Sequence, residues 1–148
     1  DDETLILVNP VVFPQGPTDV NSDGRQDAFI VVGADPSTAY LGIYVLVGCD
    51  LMRVLDSGLP AVFSSGATVT HLDGVQCVDH TGDGVTDILQ YRGTSTDGIT
   101  YTIQTSVVTV SPTGGIIPSL SPPQFTTTSP GMYSGFDCGD LHGVQLTG

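Results

Sequence analysis

An acidic nine-residue loop occurs twice in this chain and each time runs straight into an apolar stretch, which limits the possible folds more than any other feature. Asp19-Val20-Asn21-Ser22-Asp23-Gly24-Arg25-Gln26-Asp27 recurs sixty positions later as Asp79-His80-Thr81-Gly82-Asp83-Gly84-Val85-Thr86-Asp87. Both copies carry oxygen side chains at positions 1, 3, 5 and 9 and glycine at position 6. The first continues as Ala28-Phe29-Ile30-Val31-Val32 and the second as Ile88-Leu89-Gln90-Tyr91. A loop that feeds a strand, repeated at a fixed period, predicts a repeated β unit.

The spacing is that of a calcium loop. Calcium takes six to eight oxygen ligands, and alternate positions of a tightly turned loop point inward, so side chains at 1, 3 and 5 converge. Glycine at position 6 permits the sharp turn, the carbonyl of position 7 faces the ion, and the carboxylate at position 9 closes the cage. The expected ligands are Asp19, Asn21, Asp23, the Arg25 carbonyl and Asp27 in the first loop. In the second they are Asp79, Thr81, Asp83, the Val85 carbonyl and Asp87. An EF-hand needs glutamate at position 12, where this chain has Ile30 and Gln90. Asp, Asn and Gly also build ordinary turns, but a turn has no use for three clustered carboxylates, which repel one another without a cation. Two Ca2+ sites are expected, the first tighter, because Thr81 is a weaker ligand than Asn21.

Sixteen acidic residues against three arginines and no lysine give a formal charge of −13. Such a field excludes nucleic acid and anionic membrane surfaces as partners. Six of the acids sit in the two loops, so two bound ions offset four of the thirteen negative charges. No apolar run approaches the roughly 20 residues of a membrane helix, so no membrane insertion is expected. Asp1-Asp2-Glu3 offers neither a basic nor an apolar leader region, so a signal peptide is expected to have been removed or never present. Weak calcium sites belong outside the cytosol, and the expected location is secreted or at the cell surface. Three cysteines allow one disulfide by three pairings. Cys49–Cys77 is the expected one, since each flanks the same repeat junction; three small buried thiols are the alternative.

Nineteen glycines, ten prolines and abundant Val, Ile and Thr predict an all-β chain. Strands are expected at 4–8, 27–33, 40–49, 51–55, 67–71, 74–78, 87–92, 99–110 and 114–120, with a bend or bulge at Val107-Val108 where the alternation changes phase. The chain reads as a single β domain, residues 1–148, made of two repeats (about 4–56 and 61–120) and a C-terminal segment (121–148). Residues 119–131 read as an irregular connection, and Gly143-Val144-Gln145-Leu146 echoes Gly74-Val75-Gln76-Cys77. Phe29, Val31, Tyr44, Leu46, Ile88 and Ile103 are the expected core.

The pattern Asp-x-Asn-x-Asp-Gly-x-x-Asp followed by an apolar strand resembles the FG-GAP/VCBS-type repeat. The resemblance covers the loops and their following strands closely and the strand order more loosely. It implies calcium bound between two strands of a β-propeller blade of about sixty residues, as in integrin α-subunits and many secreted bacterial proteins. "GVQCVDHTGDGVTDILQYRG" is similar to secreted actinobacterial proteins of unassigned role. A propeller needs roughly four to eight blades, and this sequence supplies two and a fragment, which leaves a piece of a longer propeller, assembly with other copies, or two units packed as a small sandwich. The expected architecture is therefore two tandem blade-like repeats with calcium loops between strands, as a small sandwich or partial propeller.

Nothing in the sequence assembles a catalytic centre. His71, His80 and His142 are scattered without zinc-ligand spacing. Ser64-Ser65-Gly66 lacks the Gly-x-Ser-x-Gly elbow, and Asp137-Cys138-Gly139-Asp140 reads as a turn. No enzyme is expected. The expected function is a secreted or cell-surface calcium-binding interaction module, in which Ca2+ stabilises the β fold and the partner is a protein or glycan. The alternatives are a carbohydrate-binding module, with Tyr40, Tyr91 and Tyr133 as its only aromatic platforms and no tryptophan, or an accessory domain of a larger secreted enzyme.

Overall fold

Runs of Val, Ile, Thr and aromatic residues, cut by glycine and by Asp/Ser turns, fold here into strands. The computed structural model describes residues 27–138. The strand expected at 4–8, the first loop up to Gln26, His142 and the 143–146 echo lie outside them. In chain order the strands are β1 (Ala28–Ala34), β2 (Thr38–Val47), β3 (Asp50–Arg53), β4 (Leu55–Asp56), β5 (Leu59–Pro60) and β6 (Phe63–Ala67). They continue with β7 (His71–Val78), β8 (Asp87–Thr94), β9 (Tyr101–Val110), β10 (Ile116–Pro118), β11 (Phe125–Thr127) and β12 (Gly135–Asp137). A single 3-10 turn, Pro130–Tyr133, is the only helical element among the described residues.

Ten of these strands form one sheet in the order β1-β2-β6-β7-β8-β9-β10, with β3 added to β2, β11 to β9 and β12 to β7; β4 and β5 make a separate hairpin. Among the described residues the strand ladders are antiparallel except that of β12 with β7, and Leu55 and Gly115 form an isolated parallel bridge. The strand after each acidic loop opens a three-strand meander, β1-β2-β3 in one half and β8-β9-β10 in the other. Their first turns are built alike. Asp35 accepts the amides of Ser37 and Thr38, and Asp97 those of Ile99 and Thr100. The meanders nevertheless belong to one continuous sheet. The structure shows an all-β fold with a large antiparallel sheet, and no separate blades among the described residues.

The sheet bends around its main core. Phe29, Leu41, Ile43, Val45, Phe63, Val75, Ile88, Val110 and Phe136, from β1, β2, β6, β7, β8, β9 and β12, share one buried cluster. Phe29 packs edge-on against Phe136 with ring centroids 4.9 Å apart. Such a bend needs a corner, and β6 supplies it by pairing with β7 at only two positions, Gly66↔Asp73 and Ala67↔Leu72. A second, smaller cluster of Leu72, Tyr101 and Ile103, with Tyr91, Phe125 and Tyr133 against it, draws on β7, β8, β9, β11 and the 3-10 turn.

Several expectations are corrected. The disulfide joins Cys77 to Cys138, not Cys49 to Cys77. Parallel pairing sets Asp137 of β12 opposite Gln76 of β7, which brings the next pair, Cys138 and Cys77, together at a Cα separation of 4.6 Å. Cys49 sits exposed on the β2–β3 turn with a free thiol. Tyr44 and Leu46 are only half-buried, and the core face of β2 is the opposite one, Leu41, Ile43 and Val45. A one-residue change of phase exchanges the two faces of a strand. Phe29, Ile88 and Ile103 are buried, and Val31 packs partly against the core.

Residues 68–70 are a turn rather than strand, with β6 lying earlier at 63–67. The segment expected to be irregular contains β11 and the start of the 3-10 turn. No bulge occurs at Val107-Val108, since pairing with β8 is unbroken from Thr102 to Val108. The phase changes because Tyr101 and Ile103 face one cluster while Val108 and Val110 face the other. The register shift lies instead in β1, between Val31 and Gly33.

Candidate metal centre

The second acidic loop leaves β7 at Val78 and re-enters the sheet as β8 at Asp87, and those two residues are paired. The loop is thus a hairpin connection whose base is fixed by the ladder. Gly82 and Gly84 have φ of +77° and +82°, a left-handed conformation that a Cβ makes costly. Gly84 is the position-6 glycine of the sequence pattern; Gly82 adds a second reversal where the first loop has Ser22.

Those reversals wrap the backbone around Asp79. Its Oδ1 accepts the amides of Gly82 (2.8 Å) and Asp83 (3.1 Å), and its Oδ2 accepts that of Gly84 (2.8 Å). Asp83 accepts the Val85 amide at 2.9 Å. That bond, helped by a side-chain hydrogen bond from Thr81, holds the Asp83 carboxyl below the ordinary aspartate range. Asp87 is only 1% exposed. Its Oδ2 accepts the His80 amide at 3.0 Å and its Oδ1 accepts the Thr109 hydroxyl at 2.8 Å.

Asp79, Asp83 and Asp87 each present one carboxylate oxygen, and the three oxygens lie within 4.8 Å of one another. Two opposed calcium–oxygen bonds of about 2.4 Å span the same distance. Three hard anionic oxygens, with no histidine or thiolate among them, are a donor set for calcium rather than for zinc. The residues present therefore fit a bound Ca2+.

Of the other expected ligands, Thr81 and Val85 lie in this loop, both tied to Asp83 by hydrogen bonds. Asp19, Asn21, Asp23 and Arg25 lie outside the described residues. Asp27, which closes the first loop, is buried at 8% exposure immediately before β1, as Asp87 is buried at the first residue of β8.

His80 is exposed on the loop. His71 is remote from the cluster in sequence and pairs instead with the buried Asp73 at 2.8 Å. Tyr91 and Tyr133 pack edge-on at 5.2 Å with Phe125 against Tyr133, beside a depression of about 30 Å3. That packing gives them no shared flat face for a sugar ring. Tyr40 donates its hydroxyl to Asp35 at 3.0 Å.

One residue that contacts the site from outside the loop was not read from the sequence. Thr109 lies 22 residues beyond Asp87, and only the β8–β9 register brings them side by side. Gln90, at the position where an EF-hand has its last ligand, points away from the loop to bond β6 and β7. No protein-family model, no curated protein and no solved structure matches this chain.

Proposed function

We propose that this protein is a calcium-binding β module of the extracellular type, in which Ca2+ joins the ends of adjacent strands and offsets the charge of the acidic loops. The observation that carries this reading is the convergence of Asp79, Asp83 and Asp87 in a loop whose ligand spacing the chain repeats at Asp19–Asp27. In the second loop the ion takes those three carboxylates, with Thr81 and the Val85 carbonyl as the further ligands of the spacing; the first loop supplies Asp19, Asn21, Asp23, the Arg25 carbonyl and Asp27. An FG-GAP/VCBS-like repeat accounts for both copies.

The Cys77–Cys138 disulfide supports a secreted or cell-surface location, since such bonds persist in oxidising compartments. No helix among the described residues is long and apolar enough to cross a membrane. The module's role is to present a calcium-stiffened surface to a protein or glycan partner, not to catalyse a reaction.

Isothermal titration with CaCl2, on the parent and on Asp23→Ala and Asp83→Ala variants, tests the reading. The parent should bind two ions, Asp23→Ala should lose the tighter one and Asp83→Ala the weaker, and a chelator should lower the melting temperature. No heat and an unmoved melting temperature would refute it.

A further inference from the structure

Both oxygens of Asp87 are engaged before any ion arrives: Oδ2 by the His80 amide within the loop, and Oδ1 by the Thr109 hydroxyl from outside it. Asp87 is 1% exposed, so water cannot take the place of a missing donor. The Thr109 bond also crosses to a different strand. Continuing the β8–β9 register one step past Ile88↔Val108 sets Asp87 opposite Thr109, and Thr109 is itself paired on its other side with Ile117 of β10.

We propose that Thr109 is a positioning residue for the metal centre: its hydroxyl fixes the rotation of the Asp87 carboxylate so that the group faces Asp79 and Asp83, and it couples ion binding to the far end of β9. This rests on the calcium reading of the second loop. The physical reason is that a carboxylate ligand turns about its Cβ–Cγ bond unless an outer hydrogen bond holds it. Without the Thr109 hydroxyl only the His80 amide holds the group, and an entering ion must complete its ordering. Outer partners of this kind typically change metal affinity about 10–100-fold when removed. Nothing in the nine-residue motif specifies this threonine.

The test uses the full chain carrying Asp23→Ala, so that calcium uptake reports the second loop alone. In that background Thr109→Val, which keeps the shape and removes the hydroxyl, should weaken calcium binding about tenfold or more, and Thr109→Ser should restore it to within about twofold. Melting temperatures in chelator separate this from a general loss of stability. A second measurement needs no variant at position 109: calcium should slow amide exchange at residues 107–110 as well as in the loop.

Parent-like affinity in Thr109→Val, or a Thr109→Ser variant as weak as Thr109→Val, overturns the assignment. So does exchange that responds in residues 79–87 and ignores calcium in 107–110. If the Asp23→Ala chain takes up no calcium at all, the calcium reading of the second loop fails and the role of Thr109 falls with it.

Discussion

The side-chain amide of Gln90 and the backbone of Ser64 exchange two hydrogen bonds, Ser64 N–H to Oε1 at 2.9 Å and Nε2–H to the Ser64 carbonyl at 3.1 Å. The same Nε2 reaches the carbonyl of Gly74 at 2.9 Å. Ser64 lies in the part of β6 that has already left β7, so its backbone polar groups lack a neighbouring strand on that side. Gln90 replaces the missing ladder and makes the corner of the sheet possible. Gln90→Leu should cost about 3 kcal/mol, because the buried Gly74 carbonyl and the half-buried backbone of Ser64 lose their partners together. Urea denaturation at neutral pH measures this; a loss under 1 kcal/mol would remove Gln90 from the role.

Cys138 is fully buried and bonded to Cys77 over a sequence separation of 61. Closing a loop of that length restricts the unfolded chain by about 4 kcal/mol, so Cys77→Ser with Cys138→Ser should lose most of that in chemical denaturation. Cys49→Ser should change nothing, because that thiol is exposed and unbonded. Peptide mapping without reductant should recover a Cys77–Cys138 fragment; a Cys49–Cys77 fragment would contradict the pairing.

Gly74 marks the closest approach of the 3-10 turn to the sheet. A Cβ there would stand 2.1 Å from the Tyr133 carbonyl oxygen, and a backbone atom cannot step aside cheaply. Gly74→Ala should push the turn off β7 at a cost of about 3 kcal/mol and separate Tyr133 from Tyr91. With five tyrosines and no tryptophan in the chain, tyrosine emission reports that separation. Unchanged emission and stability would show that the turn is not seated as described.

The turns after β1 and β8 depend on ionised carboxylates. Backbone amides, of Ser37 at Asp35 and of Ile99 at Asp97, hold both groups below the ordinary aspartate range. A depressed folded value means that the stabilisation is present above the unfolded value, about 3.9, and is lost as pH falls through the folded one. Asp97→Asn should therefore lower the melting temperature at pH 6 and differ less from the parent at pH 2.5. A gap that stays constant with pH would show that charge is not the reason.

The strands themselves were legible because Val, Ile, Thr and Tyr alternate with polar residues and end at Gly or Asp/Ser turns. Period two shows which residues share a face but not which face is inward, and in β2 the inward set proved to be Leu41, Ile43 and Val45 rather than Tyr44 and Leu46. β12 was missed because three residues, Gly135–Asp137, carry no periodic signal. They become a strand only by burying Phe136 and pairing with β7.

By itself the sequence determined the all-β class, the spacing of oxygen side chains in each loop and the glycine that lets the second loop reverse. These are local properties, set by side-chain chemistry and backbone freedom over a few residues. The tertiary structure decided the disulfide partner of Cys77, the corner closed by Gln90 and the hold of Thr109 on Asp87. Each joins residues 22 to 61 positions apart. Such contacts depend on strand order and register, which the whole core fixes at once and no short stretch of chain encodes.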